Sequence, residues 1–177
     1  MDNDSQTTRA ELGKPAPDFS LPDLDDEEHS LGAARGKIAI LNFWSAECGW
    51  SERVDRELAP ALARWGKEVV FYPIAANDNE QLDVLCQVSQ EHGLPLVLFD
   101  ADQEVADLYG ALNTPHFFVI DRDGILRYRG AFDDVSFRQR KPTQTYLIPA
   151  VDALLSGHLP DPAETPTFGC TIVRYTE

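Results

Sequence analysis

Asn42-Phe43-Trp44-Ser45-Ala46-Glu47-Cys48-Gly49-Trp50-Ser51 is the stretch on which the reading of the fold turns. An apolar run, residues 38–41, precedes it and reads as a buried strand. Residues 52–65 follow, with Val54, Leu58, Leu62 and Trp65 at helical spacing. Cys48 therefore falls where a strand ends and a helix begins. There, unpaired backbone N–H groups and the positive end of the helix dipole favour a thiolate over a thiol. A cysteine so placed is a candidate nucleophile; the plainer alternative is a small core residue. Its neighbours Glu47, Gly49 and Ser51 suit a partly exposed turn better than a core.

Downstream, residues 68–75 read as a second buried strand, with Pro73 interrupting the ladder near its end. Asn77-Asp78-Asn79 offers N-cap chemistry for a helix over residues 80–91, closed by Gly93. Leu82, Leu85, Cys86 and Ser89 share one face of it, which makes Cys86 a core residue. Residues 94–99 form a short strand and 102–109 a short helix stopped by Gly110. Strands over 116–120 and 125–129 are joined by the hairpin turn Asp121-Arg122-Asp123-Gly124. A polar loop, 133–145, leads to a helix within 146–156, with Pro149 in or near its first turn.

Upstream, the polar residues 1–12 are expected to be disordered, and residues 13–24 are extended, with Pro15, Pro17 and Pro22. The segment 158–177 carries Pro160, Pro162 and Pro166, then a possible added strand over 170–175. The organisation expected is a disordered stretch 1–12, one domain over 13–157 and a C-terminal extension 158–177. Alternating strands and helices that end in a hairpin and a helix indicate an α/β sandwich, parallel strands first.

One domain suits 177 residues. A net charge of −15 argues against nucleic acid and against anionic membrane surfaces. No apolar run reaches bilayer length, and residues 1–11 lack the features of a signal peptide, so a cytoplasmic location is expected. Three cysteines, Cys48, Cys86 and Cys170, are not a disulfide framework. No two have zinc-site spacing, and His29, His92, His116 and His158 are scattered, so no metal and no cofactor are expected.

Three segments resemble one family. The stretch from Phe43 to Ser51 resembles the thioredoxin signature, a strand followed by Trp-x-x-x-Cys-x-x-Cys. Thr114-Pro115, followed by Phe117-Phe118-Val119-Ile120-Asp121, resembles the cis-proline segment of the same fold. Gly13-Lys14-Pro15-Ala16-Pro17-Asp18-Phe19 resembles the opening segment of the redoxins, the alkyl hydroperoxide reductase/thiol-specific antioxidant group and the membrane-linked thiol–disulfide oxidoreductases. The resemblance spans residues 13–157. Phe168-Gly169-Cys170-Thr171-Ile172 further resembles the Gly-Cys ending of some peroxiredoxin-like bacterial redoxins.

The resemblance implies a thioredoxin-like three-layer sandwich, a mixed central sheet flanked by helices. It implies Cys48 as a thiolate attacking a disulfide or a hydroperoxide. It implies a cis Pro115 that sets the backbone of Thr114 beside Cys48, ready to pair with an extended substrate. Trp44 and Trp50 would flank the site, although Trp44 also reads as a core residue.

The departures bear on mechanism. Ser51 stands where the resolving cysteine would be, so no disulfide can form within residues 48–51; its hydroxyl could still donate to a Cys48 thiolate. Asn42 replaces a buried aspartate that assists proton transfer. Glu47 replaces a tryptophan, and its charge should raise the Cys48 pKa. Ser45 stands at the Thr of the peroxiredoxin Thr-x-x-Cys motif, without the proline that opens it. His116 could lend positive charge or serve structurally; Arg53 could attract an anion or lie on a solvated face.

Three functions follow. The leading one is a thiol–disulfide oxidoreductase acting through Cys48, the second sulfur coming from Cys170 or an external thiol reductant. The others are a peroxiredoxin-like thiol peroxidase with antioxidant activity, and a binding module without catalysis. Expected partners are a protein or small-molecule disulfide or a hydroperoxide, with a homodimer possible and neither nucleic acid nor membrane involved.

Overall fold

In the computed structural model, which describes residues 9–174, β1 (Ser20–Pro22) and β2 (Glu28–Ser30) form a small antiparallel ribbon. β3 (Ile38–Trp44) is buried along its whole length, as a strand covered on both faces must be. α1 (Gly49–Trp65) begins directly after Cys48 and buries Val54, Leu58, Ala61 and Trp65. Next come β4 (Val69–Ala75), α2 (Leu82–Glu91), β5 (Leu98–Phe99) and α3 (Glu104–Tyr109). β6 (Asn113–Thr114) passes through Pro115 into β7 (His116–Ile120) and the hairpin strand β8 (Leu126–Gly130). α4 (Leu147–Leu155) and β9 (Cys170–Thr171) complete the order.

The central sheet runs β5-β4-β3-β7-β8, with β3, β4 and β5 parallel and β7 and β8 antiparallel. Strand alternation sorts its side chains. Ile38 and Ile40 of β3 and Phe117 and Val119 of β7 pack with α1 and α4 through Leu58, Leu147 and Val151. Leu41, Phe43 and Phe118 pack on the other face with Phe19, Tyr72 and Tyr109. Each fully buried Leu, Ile or Phe contributes about 2 kcal/mol of transfer free energy. Leu85 of α2 joins Trp44 and Val97 in a third cluster.

Several details differ from the sequence reading. Pro73 does not end β4: it stands beside Asn42 within a continuous register, on a stretch whose other edge is unpaired, where prolines are tolerated. α2 starts at Leu82, and its N-cap, Gln81, makes no side-chain cap bond. Asn77, expected as a cap, is used elsewhere. Leu82 is exposed and Cys86 only half-buried, so the apolar face of α2 narrows to Leu85 and Ser89. The disorder expected over residues 1–12 does not extend to Ala10, which is buried and donates its N–H to Leu108 O at 3.0 Å; residues 1–8 lie outside the described range. The strand expected over 170–175 is confined to Cys170 and Thr171 and pairs with β6, apart from the main sheet; residue 175 is not among those described. Among the described residues, no helix is long and apolar enough to cross a membrane.

Candidate active site

The site forms where β3 delivers the chain to α1 and the β6–β7 junction passes alongside. Cys48 is the N-cap of α1, in an extended conformation, and its carbonyl accepts the first helical bond from Glu52 N–H at 3.1 Å. The Thr114–Pro115 peptide is cis, as the resemblance implied, and Thr114 O lies 3.4 Å from Cys48 Sγ. The edge beyond Thr114 is occupied: β9 pairs with β6 antiparallel, Thr114 opposite Cys170 and Asn113 opposite Thr171. Cys48 and Cys170, 122 positions apart in sequence numbering, are thereby brought to opposite sides of Thr114, close enough for each thiol to shift the ionisation of the other. Both are free. Cys48 is 2% exposed, whereas Cys170 faces solvent.

The two sulfurs are electrostatically unlike. Burial opposes ionisation of Cys48. The Cys170 thiol, the Ser51 N–H and the Cys170 N–H outweigh it and hold the pKa below its ordinary value. For Cys170, an exposed residue whose sulfur is nonetheless partly desolvated beside Cys48, that desolvation, the Cys48 thiol, the Cys48 charge and the Glu80 charge push the pKa up to about 12. Ionisation of the pair therefore favours the charge on Cys48 and the proton on Cys170.

Ser51 serves Cys48 with its backbone N–H; its hydroxyl instead accepts from Ser45 N–H at 3.4 Å, which corrects the expected hydroxyl bond to the thiolate. Trp44 is fully buried and donates to Asp55 Oδ2 at 2.7 Å, so it is a core residue and not a substrate contact. Trp50 does flank the site, half-buried, with its ring 5.3 Å from Phe137 and 5.6 Å from Phe168. His116 carries no charge toward the thiolate: burial, with the Arg129 charge behind it, pushes its pKa down to about 4, and its Nδ1 accepts from Leu112 N–H. Arg53 neither awaits an anion nor lies on a solvated face. It forms a two-pronged pair with buried Asp133, both N–O distances 2.9 Å. Asn42 is buried with both amide atoms lacking a hydrogen-bond partner among the described residues.

One participant escaped the sequence reading. Glu80 is buried, and its carboxylate accepts from Ser45 Oγ at 2.6 Å, Glu47 N–H at 3.0 Å and Asn77 Nδ2 at 3.3 Å. Asn77 Oδ1 in turn accepts from Val173 N–H at 2.7 Å, and Asp78 N–H donates to Val173 O at 3.1 Å. The loop before Cys48 and the chain after Cys170 thus share one anchor. The only signal in the sequence was a capping pattern, which pointed to the local helix.

Away from this site, Asp23, Glu27 and His29 bring one possible ligand atom each within 4.8 Å. Asp23 is already engaged there, by the Asp25 and Glu27 N–H groups and by His29 at 2.8 Å.

A mixed sheet, flanking helices, a free cysteine at a helix start and a cis-proline beside it define a protein of the thioredoxin-like class. The thioredoxin domain of a thiol-disulfide oxidoreductase from Bacteroides vulgatus shares the fold: TM-score 0.60, 19% identity, 73% of this chain and 92% of that one covered. The AhpC/TSA family matches residues 12–129, and the chain belongs to it. Thiol-disulfide oxidoreductase ResA from Geobacillus thermodenitrificans is 33% identical over 124 residues, covering 68% of this chain and 69% of that protein. An uncharacterized conserved protein from Geobacillus kaustophilus superposes with a TM-score of 0.86 at 30% identity, over 94% of each chain.

Proposed function

We propose that the protein is a thiol–disulfide oxidoreductase in which Cys48 is the nucleophile and Cys170 the resolving thiol. The observation that carries this reading is the pairing of Cys170 with Thr114, whose carbonyl oxygen lies 3.4 Å from Cys48 Sγ, so that one residue brings both cysteines together. In the first step the Cys48 thiolate attacks a substrate disulfide, and one substrate thiolate leaves as a Cys48–substrate disulfide forms. Cys170 then gives up its proton and attacks Cys48 Sγ. The second substrate thiolate leaves, and a Cys48–Cys170 disulfide remains. An external thiol restores the reduced pair. Cys170 thus fills the role that Ser51 cannot, from within one chain and without a dimer. The thiol-disulfide oxidoreductases among the relatives support the same reaction class.

Two observations weigh against peroxide as the substrate. Ser45 Oγ is bound to Glu80, and Arg53 is bound to Asp133, so neither is free to bind an oxygen of a hydroperoxide at Cys48.

Mild oxidation of the full chain, followed by disulfide mapping by mass spectrometry, tests the reading. The expected product is a Cys48–Cys170 bond within one chain. Recovery of Cys170 as a free thiol, while Cys48 carries sulfenic acid or glutathione, overturns it.

A further inference from the structure

The edge of Thr114, where an extended substrate would pair, is filled by the protein's own tail. The tail is held on both sides of Cys170. Phe168 joins Trp50 and Phe137 in a ring cluster, with centroids 5.6 and 5.0 Å away. On the far side Ile172 is buried, its N–H donating to Leu112 O at 3.1 Å, and Val173 is held by Asn77. Between them, Gly169 passes so close to Thr114 that a Cβ would stand 1.9 Å from the Thr114 carbonyl oxygen. With the tail docked, Cys48 is shut off from solvent. A disulfide that reaches Cys48 must use the space the tail occupies and meet the same walls.

We propose that the docked tail is an internal stand-in for the substrate. The site takes an extended polypeptide segment whose reactive cysteine follows a residue without a side chain and has an aromatic residue two positions before it. This inference rests on the thiol-exchange reading and specifies its substrate. Thr114 O bars a side chain at the preceding position. Trp50 and Phe137, left without their third ring when the tail lifts, receive the aromatic one. The Thr114 edge supplies the backbone pairing.

The test uses the full chain carrying Cys170→Ser, which keeps a hydroxyl on the tail and leaves Cys48 as the site's only thiol. The probes are the peptide Thr-Phe-Gly-Cys-Thr-Ile and two analogues, one with Val for Gly and one with Ala for Phe. Each has its cysteine joined to 2-nitro-5-thiobenzoate in a mixed disulfide. The Cys48 thiolate attacks the peptide sulfur, a Cys48–peptide disulfide forms, and the thiobenzoate thiolate leaves, read as its colour. Both analogues should react about tenfold more slowly than the parent peptide. Gly169→Val in the same chain should unseat the tail and speed reaction with the parent about tenfold, without touching the core.

Peptide rates that agree within about twofold, while the small disulfide dithiobis(nitrobenzoate) still reacts, overturn the specificity alone. No release even from the small disulfide overturns thiol exchange and this inference with it. An oxidised wild type joined Cys48 to Cys170 between two chains shows that the occupant is a second copy, which overturns the internal stand-in.

Discussion

Asn77 Nδ2 donates to Glu80 Oε2 at 3.3 Å, and this bond ties the loop before Cys48 to the tail that carries Cys170. The two cysteines are held in register by a carboxylate that touches neither through a hydrogen bond.

Glu80→Ala should therefore act in two places. It leaves Ser45 Oγ, Glu47 N–H and Asn77 Nδ2 without their acceptor, at a cost of about 3 kcal/mol in urea unfolding. It also removes a charge that raises the Cys170 pKa, so Cys170 should alkylate at lower pH than in the wild type. An unchanged Cys170 titration in the variant would remove Glu80 from the electrostatics of the pair.

The thiol pair predicts a sign for pH dependence. Cys48 is held below the ordinary 9.0, so its contribution to stability is present above the unfolded value and is lost as pH falls through the folded one. Cys170 is raised to about 12, so the unfolded chain loses that proton first, and stability falls as pH climbs from about 9 toward 12. Cys170→Ala removes a donor to the thiolate and should slow Cys48 alkylation at pH 7 by about tenfold, while Cys170→Ser, which keeps an O–H donor, should slow it much less. Equal rates in the two variants would show that the Cys170 thiol does not hold the Cys48 charge.

Arg53→Ala strips buried Asp133 of its cation and leaves it the Val135 N–H at 3.1 Å. The expected loss is about 2 kcal/mol, below that of a fully buried pair because the Arg53 side chain keeps 22% exposure. The urea midpoint should move while the Cys48 alkylation rate stays put. A tenfold slower alkylation would mean that Arg53 acts on the thiolate after all.

Asn42 invites replacement. Its amide is buried in β3 with no partner among the described residues, and such groups cost more than an apolar group of the same shape. Asn42→Leu should stabilise the protein by about 1 kcal/mol in thermal or urea unfolding. A loss of stability instead would mean that the amide is satisfied by a bound water.

The helix start at Cys48 and the succession of parallel strands and a terminal hairpin were legible because they are written in local pattern: the apolar run into Trp44, the period of Val54, Leu58 and Trp65, and the turn Asp121–Gly124. Glu80, Arg53 and Cys170 were not legible in the same way. Each acts through a partner far along the chain, at Ser45, Asp133 and Thr114. No periodicity encodes such a pairing. A capping pattern around Asn77 even pointed to the wrong use of that residue, because side-chain amides bond tails as readily as helix starts.

The difference in exposure between Cys48 and Cys170 would give a disulfide between them a direction of reduction. In a Cys48–Cys170 disulfide, an incoming thiol meets only the Cys170 sulfur, since Cys48 is shielded. Attack there expels Cys48, whose low pKa makes it the better leaving group. The reductant is then left bound to the tail, outside the core, and the nucleophile is regenerated first. Reduction would begin at the end of the chain and finish there, with a mixed disulfide on Cys170 as the species to trap.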